Sequence, residues 1–182
     1  MSLSAPPPGI RIRPVGGAEA ATLVPALADI LTDCVAGGAS VGFMWPLARA
    51  RAEAFWRGVA EDVATGARVL LLAEEAGGGP VGTVQLVPAP QENQPHRAEI
   101  AKMLVHRRAR GRGTGAALMR AAEAAARARG RTLLVLDTEA GSAADRLYRR
   151  LGWTHLGTVP RYALMPDGSA CPAAFFYRDL GR

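Results

Sequence analysis

The sequence predicts a single α/β domain: a mixed, mostly antiparallel sheet with one central parallel β-α-β crossover and flanking helices. Three observations predict it. The chain has 182 residues, the length of one domain. Two apolar segments, 68–75 and 81–88, are joined by the turn AGGGP and read as a β-hairpin. The segment TLLVLDT (132–138) is apolar on both faces, as a buried parallel strand requires. A hairpin followed by one crossover gives a mixed sheet, not a doubly wound one.

Each element has its own signal. Residues 1–9 read as a mobile Pro-rich lead, and 10–182 as the one domain. IRIRPV (10–15) alternates and predicts a first strand. Apolar spacing over 18–35 is helical despite Pro25. GGASVGFMWP (37–46) is a glycine-rich loop, and 47–64 a second helix. After the hairpin, AEIAKMLV (98–105) is a strand. A long Ala-rich helix fills 113–129 and stops at Gly130. Residues 142–151 form a helix with Ser142 at its N-cap and Asp145 three residues on. Strands near 153–160 and 173–180 finish the chain.

Composition excludes several classes. Apolar residues at 49% and charged residues at 21% are globular values, not those of a disordered or fibrous chain. No run of about 20 uncharged apolar residues is present, so no membrane partner is expected. Cys34 and Cys171 are too few for a disulfide framework or a thiolate zinc site and read as buried small residues, and reducing cytoplasm is the simplest compartment. His96, His106 and His155 lack metal spacing, so no metal is expected. The net charge of +6 is localised. Residues 97–131 carry ten Arg or Lys against Glu99 and Glu123, while the rest of the chain sums to −2. This pattern predicts one anionic ligand rather than a uniformly basic coat. That segment holds no Phe, Tyr or Trp, which argues against a single-strand nucleic-acid binder.

The chemistry concentrates in MLVHRRARGRGTGAALM (103–119). A strand ends, a basic glycine turn follows and a helix begins. Helix N-termini leave N–H groups unpaired and carry partial positive charge. Gly111, Gly113 and Gly115 let phosphate oxygens approach those groups, with Arg107, Arg108, Arg110 and Arg112 around them. The turn has no Walker lysine. A dinucleotide fingerprint (Gly111, Gly113, Ala116, with Asp137) is disfavoured because it follows about 100 residues that include a hairpin.

Arg110 through Gly115 resembles the R-x-x-G-x-G acetyl-CoA motif of the GNAT superfamily of N-acetyltransferases. AADRLYRRLGW (143–153) resembles that family's A-x-x-L-Y-x-x-x-G-F element, with Trp153 in place of Phe. The chain is also similar to the subgroup that includes tabtoxin-resistance acetyltransferases. The resemblance implies a GNAT-like fold, with acetyl-CoA as cosubstrate. Amides of Arg110, Gly111, Arg112, Gly113, Thr114, Gly115 and Ala116 would hold its pyrophosphate. Met103, Leu104 and Val105 would pair with its pantetheine arm beside a bulge near Met103 or Leu104. Tyr148 would protonate the leaving thiolate. Gly141 stands where many members carry an Asn, leaving Ser142 at that contact. Glu99 sits where one branch places its catalytic glutamate.

The residues add two expectations about the base. Strand alternation puts Glu99 on one face with Ala101, Met103 and Val105, an apolar setting that raises a carboxylate pKa. An ion pair with Arg97 or Lys102 is its structural alternative. Asp137, at the carboxyl end of a parallel strand, is a second candidate base or an ammonium ligand. For the acceptor, the resemblance implicates loop 38–45, with Ser40, Phe43 and Trp45, and the loop around 162–172. Residues 1–96 sum to −3, which suits a cationic amine. The expected function is acetyl transfer from acetyl-CoA to a primary amine of a small molecule (an amino-acid-like compound or antibiotic), by direct attack in a ternary complex. Alternatives are a protein N-terminal or lysine acetyltransferase and a non-catalytic acyl-CoA sensor. The expected assembly is a monomer or homodimer.

Overall fold

A computed structural model describes residues 7–181. The elements run β1 (Ile10–Val15), α1 (Gly17–Ala36), α2 (Arg49–Thr65), β2 (Val69–Glu75), β3 (Gly79–Pro88), β4 (Arg97–Val105), α3 (Thr114–Arg127), β5 (Leu133–Glu139), α4 (Ala143–Arg150), β6 (Thr154–Leu164) and β7 (Ala170–Asp179). One seven-stranded sheet has the order β1-β2-β3-β4-β5-β7-β6. Every neighbouring pair is antiparallel except β4–β5, which is parallel. Most of the Pro-rich lead lies outside the described residues. Its last residues are tied to the sheet edge, where Ile10 N–H donates to Pro7 O (3.0 Å) and Ala76 N–H to Gly9 O (2.9 Å).

Both sheet faces are covered, which is why Val69 through Ala73 are all buried. On one face α1 and α2 lay Leu27, Leu31 and Trp56 against Leu70, Leu72 and Leu104. On the other, α3 and α4 bring Leu118, Met119 and Tyr148 onto Leu86, Ile100, Leu134 and Phe176. Trp56 is fully buried, and removing such a ring costs about 3–5 kcal/mol.

Strand β4 departs from simple alternation. Gln85 pairs with Ala101, but Thr83 pairs with Leu104, so β4 carries an extra residue there. Lys102 sits in that bulge with φ +47°. Strict alternation would send the ammonium in with Ile100 among apolar side chains. A left-handed residue costs about 1–3 kcal/mol, less than burying an unpaired charge. The bulge therefore turns Lys102 toward α2, and it also overturns one expectation. Glu99 shares its face with Ala101, Lys102 and Leu104, while Met103 and Val105 pack on the α3 side.

The last hairpin also differs from expectation. Strands β6 and β7 are longer than the sequence suggested, and the turn shrinks to residues 165–169, where Met165 N–H donates to Ser169 O (2.8 Å). A register shift between Val159 and Ala163, with Arg161 at φ +55°, breaks the alternation that would have revealed them.

Candidate active site

Strands β4 and β5 pair only from Arg97–Leu133 to Glu99–Val135, then separate. Past that point a cleft of about 970 Å³ opens. Its wall includes Glu99 to Val105, the turn at Arg110, Gly111 and Gly113–Ala116, Asp137 to Glu139, Ser142, Leu147 and Tyr148. Among the described residues the beyond-Glu99 edge of β4 has no strand partner on the β5 side, so its backbone groups face the cleft.

At one end lies the start of α3. Gly113 caps it in the left-handed region (φ +84°), and no side chain caps it. Gly111 is left-handed too, at φ +72°. The first-turn N–H groups are thus open to a ligand. Thr114 is buried, and its hydroxyl donates to Ala109 O (3.1 Å), which fixes the turn from inside.

The arginines here do more bracing than the sequence suggested. Arg112 pairs with Glu75 (2.6 Å) and lies outside the cleft wall. Arg108 donates to Pro80 O (3.0 Å) and Gly78 O (3.2 Å). Arg110 lines the cleft while its Nε–H donates to Val105 O (2.9 Å). Arg107 binds Asp33 of α1 through both its backbone N–H (2.9 Å) and its guanidinium. Burial alone would raise the Asp33 carboxyl, but the Arg107 backbone N–H and guanidinium hold it below the usual range. Asp33 carries no local signal in the sequence because its partner is 74 residues away.

The other end carries titratable groups. Asp137 opens to the cleft, and partial enclosure pushes its carboxyl up, opposed by Lys102. Glu99 is exposed, not set in an apolar face. Its expected ion pairs are absent among the described residues. Arg97 instead donates to Gln94 Oε1 (2.8 Å). Lys102, overlooked as a site residue, lies 5.6 Å from the Phe55 ring centre. Tyr148 is buried between Trp153 and Phe176, with ring centres 6.1 and 5.8 Å away, yet it lines the cleft. Burial first, and Asp137 second, push its phenol well above the ordinary value. Core packing and cleft lining are thus both true of this tyrosine. Ser142 lines the cleft and caps α4, accepting from Asp145 N–H (3.1 Å), while Asp145 accepts from Gly141 N–H (2.7 Å).

Both loops expected at the acceptor reach the wall, through Gly38 to Gly42 and through Tyr162 and Ala163, but of the three side chains singled out there only Ser40 does. Its hydroxyl donates to Leu164 O (3.1 Å), and Trp45 N–H donates to Pro166 O (3.0 Å), so loop 40–45 is laced to the β6–β7 hairpin. Phe43 instead packs edge-on against Phe55 (5.3 Å), and the Trp45 side chain is 52% exposed, outside the cleft. Among the described residues no cluster of metal ligands is found, and no helix is long and apolar enough to cross a membrane.

The sequence model of the acetyltransferase (GNAT) family matches residues 24–153. The chain belongs to this family. As a GNAT member it is an acetyltransferase. The GNAT fold is shared with the N-acetyltransferase of Staphylococcus aureus Mu50 (TM-score 0.78, 21% identity, covering 94% of this chain and 99% of that one). It is shared with the ribosomal-protein-alanine N-acetyltransferase of Brucella melitensis (0.75, 27%, 93% and 99%). A phosphinothricin acetyltransferase of Sinorhizobium meliloti, solved with acetyl-CoA, matches at 0.78 and 19%, covering 95% and 89%.

GNAT enzymes use acetyl-CoA, and the residues present fit it. A Cβ on Gly115 would stand 3.1 Å from Leu147 and 3.7 Å from the Met103 sulfur, closing the gap between α3 and the far wall. Arg120 and Arg150 also line the cleft and make no ion pair among the described residues, leaving two cations for a polyanion.

Proposed function

We propose that the chain transfers acetyl from acetyl-CoA to the primary amine of a small molecule, by direct attack in a ternary complex. One observation carries this reading. An open helix N-terminus and a carboxylate–phenol cluster stand at opposite ends of one cleft, joined by the free edge of β4. The cosubstrate, when bound, supplies an acetyl thioester. The amides of Gly111, Gly113, Thr114, Gly115 and Ala116, with Arg110, would hold its pyrophosphate, and Arg112 contributes only through its backbone and general field. Backbone groups of Met103, Leu104 and Val105 would hold the pantetheine arm, with Ser142 alongside.

An ammonium cannot attack a thioester, so a base is needed. Asp137 suits that role, because its raised pKa brings it nearer the amine's and its charge already acts on Tyr148. Glu99, on the same face, is the second acceptor for the proton. The Tyr148 hydroxyl, kept protonated by burial, donates to the leaving thiolate. Neither Cys34 nor Cys171 is needed as a nucleophile; burial raises the Cys34 thiol, opposed by Arg110.

The laced roof over the acceptor end supports a small acceptor over a protein chain. The likeness to the ribosomal-protein-alanine enzyme favours a peptide N-terminus instead. A thiol-release screen with acetyl-CoA over amines, amino acids, aminoglycosides and Ala-started peptides decides between them. Release with small amines supports the proposal, and release with peptides alone replaces it. Acetyl-CoA binding without release for any amine would leave a sensor.

A further inference from the structure

Lys102 is the chain's one lysine among 22 basic residues. It lines the acceptor end of the cleft. It makes no hydrogen bond, and no ion pair within 4.0 Å, with any described residue. Its neighbours are the Phe55 ring at 5.6 Å and Gly42, whose Cβ would lie 3.8 Å from Nζ. Partly buried cations are normally paired, because losing water without gaining a partner costs free energy. Its backbone lies at φ +47°, in the bulge that turns the side chain away from the Ile100 side of the sheet.

We propose that Lys102 anchors an anionic group of the acceptor, so that the substrate is an amine bearing a carboxylate or similar anion. This rests on the acetyl-transfer reading above. Glu99 and Asp137 line the same cleft, neither within ion-pair distance of the ammonium, and attract the substrate's own ammonium. A zwitterion therefore matches the site at both ends, where a plain amine leaves Lys102 unmatched. Burial lowers the Lys102 pKa, opposed by Glu99, reinforced by Arg68 and opposed again by Asp137. An anion bound at Nζ reverses that push. The laced loop 40–45 stands over the same end and limits the acceptor's size.

The test uses matched pairs: glycine, β-alanine and γ-aminobutyrate against their carboxamides, each with saturating acetyl-CoA. The quantity read is the acid-to-amide ratio of kcat/KM on each protein, so a general loss of rate cancels. Wild type prefers the acid of at least one pair. Lys102→Gln lowers that preference by roughly 10- to 100-fold, the factor carried by one hydrogen bond to a charged group, and Lys102→Arg keeps most of it. An unchanged ratio in Lys102→Gln overturns the proposal. So does a wild type that acetylates acid and amide alike, and that outcome leaves the acetyl-transfer reading intact. No acetylation of any amine sinks both. Should Lys102→Gln fail to fold, the single lysine is titrated in 15N-lysine-labelled wild type. Its pKa must rise with the preferred acid and stay fixed with the amide; equal behaviour contradicts the anchor.

Discussion

Glu99 and Val135 are the last residues at which β4 and β5 pair, and the cleft opens immediately beyond them. Both strands continue, Ile100 to Val105 and Leu136 to Glu139, but as separate walls. The splay thus places Glu99 and Asp137 near its apex, and the α3 start at the far end of β4. At about 3.3 Å per residue, Glu99 to Val105 spans roughly 20 Å, which suits a long cosubstrate laid along the strand.

The phosphate turn is tested at Gly113. Its φ of +84° belongs to the region that side chains with a Cβ rarely adopt. Gly113→Val is expected to tilt the first N–H groups of α3 away. Acetyl-CoA raises the wild-type melting temperature by mass action, and the shift disappears in the variant. An undiminished shift contradicts the phosphate assignment.

Tyr148→Phe removes one oxygen from a ring held by Trp153 and Phe176. The expected result is unchanged acetyl-CoA affinity with turnover lower by roughly 10²–10⁴-fold. Equal turnover would leave Tyr148 as a core residue only.

The base shows itself in the pH profile. Asp137 acts unprotonated, so kcat/KM falls as pH falls through its folded-state pKa. Enclosure lifts that pKa above the ordinary 3.8, so the limb lies at higher pH than for an open carboxylate. Asp137→Asn abolishes this limb and most activity. If Glu99→Gln does so instead, the roles are reversed.

Asp33 is a positioning residue. Asp33→Ala frees Arg107 and loosens the turn that precedes α3, at a cost of about 0.5–1.5 kcal/mol, because the freed Arg107 is exposed and water replaces the lost bonds. Acetyl-CoA binding weakens while the ratio between acceptors stays fixed. The folded pKa of Asp33 lies below its unfolded value. Its stabilising effect is therefore complete above about pH 4 and lost as pH falls through the folded pKa. A wild-type-like acid melting profile in Asp33→Ala would contradict this.

Local signals made much of this legible in the sequence. The Gly111–Gly115 turn, the Ser142 cap and the buried strand Leu133–Glu139 each depend on neighbouring residues. What stayed hidden depends on pairing across the chain. The Lys102 bulge exists only relative to β3, and it moved Met103 and Val105 to the opposite face from Glu99. The Asp33–Arg107 brace joins α1 to a distant turn. Phe43 and Trp45 looked like acceptor contacts because they are aromatic in a glycine-rich loop. Packing on Phe55 took the first, and the link to Pro166 carried the second outside the wall.

Direct transfer within a ternary complex is tested most directly by initial rates, with acetyl-CoA and an active amine varied together. Direct attack predicts intersecting double-reciprocal lines and an acetylated amine as product. Parallel lines, with an acetylated enzyme isolated in the absence of amine, would contradict it.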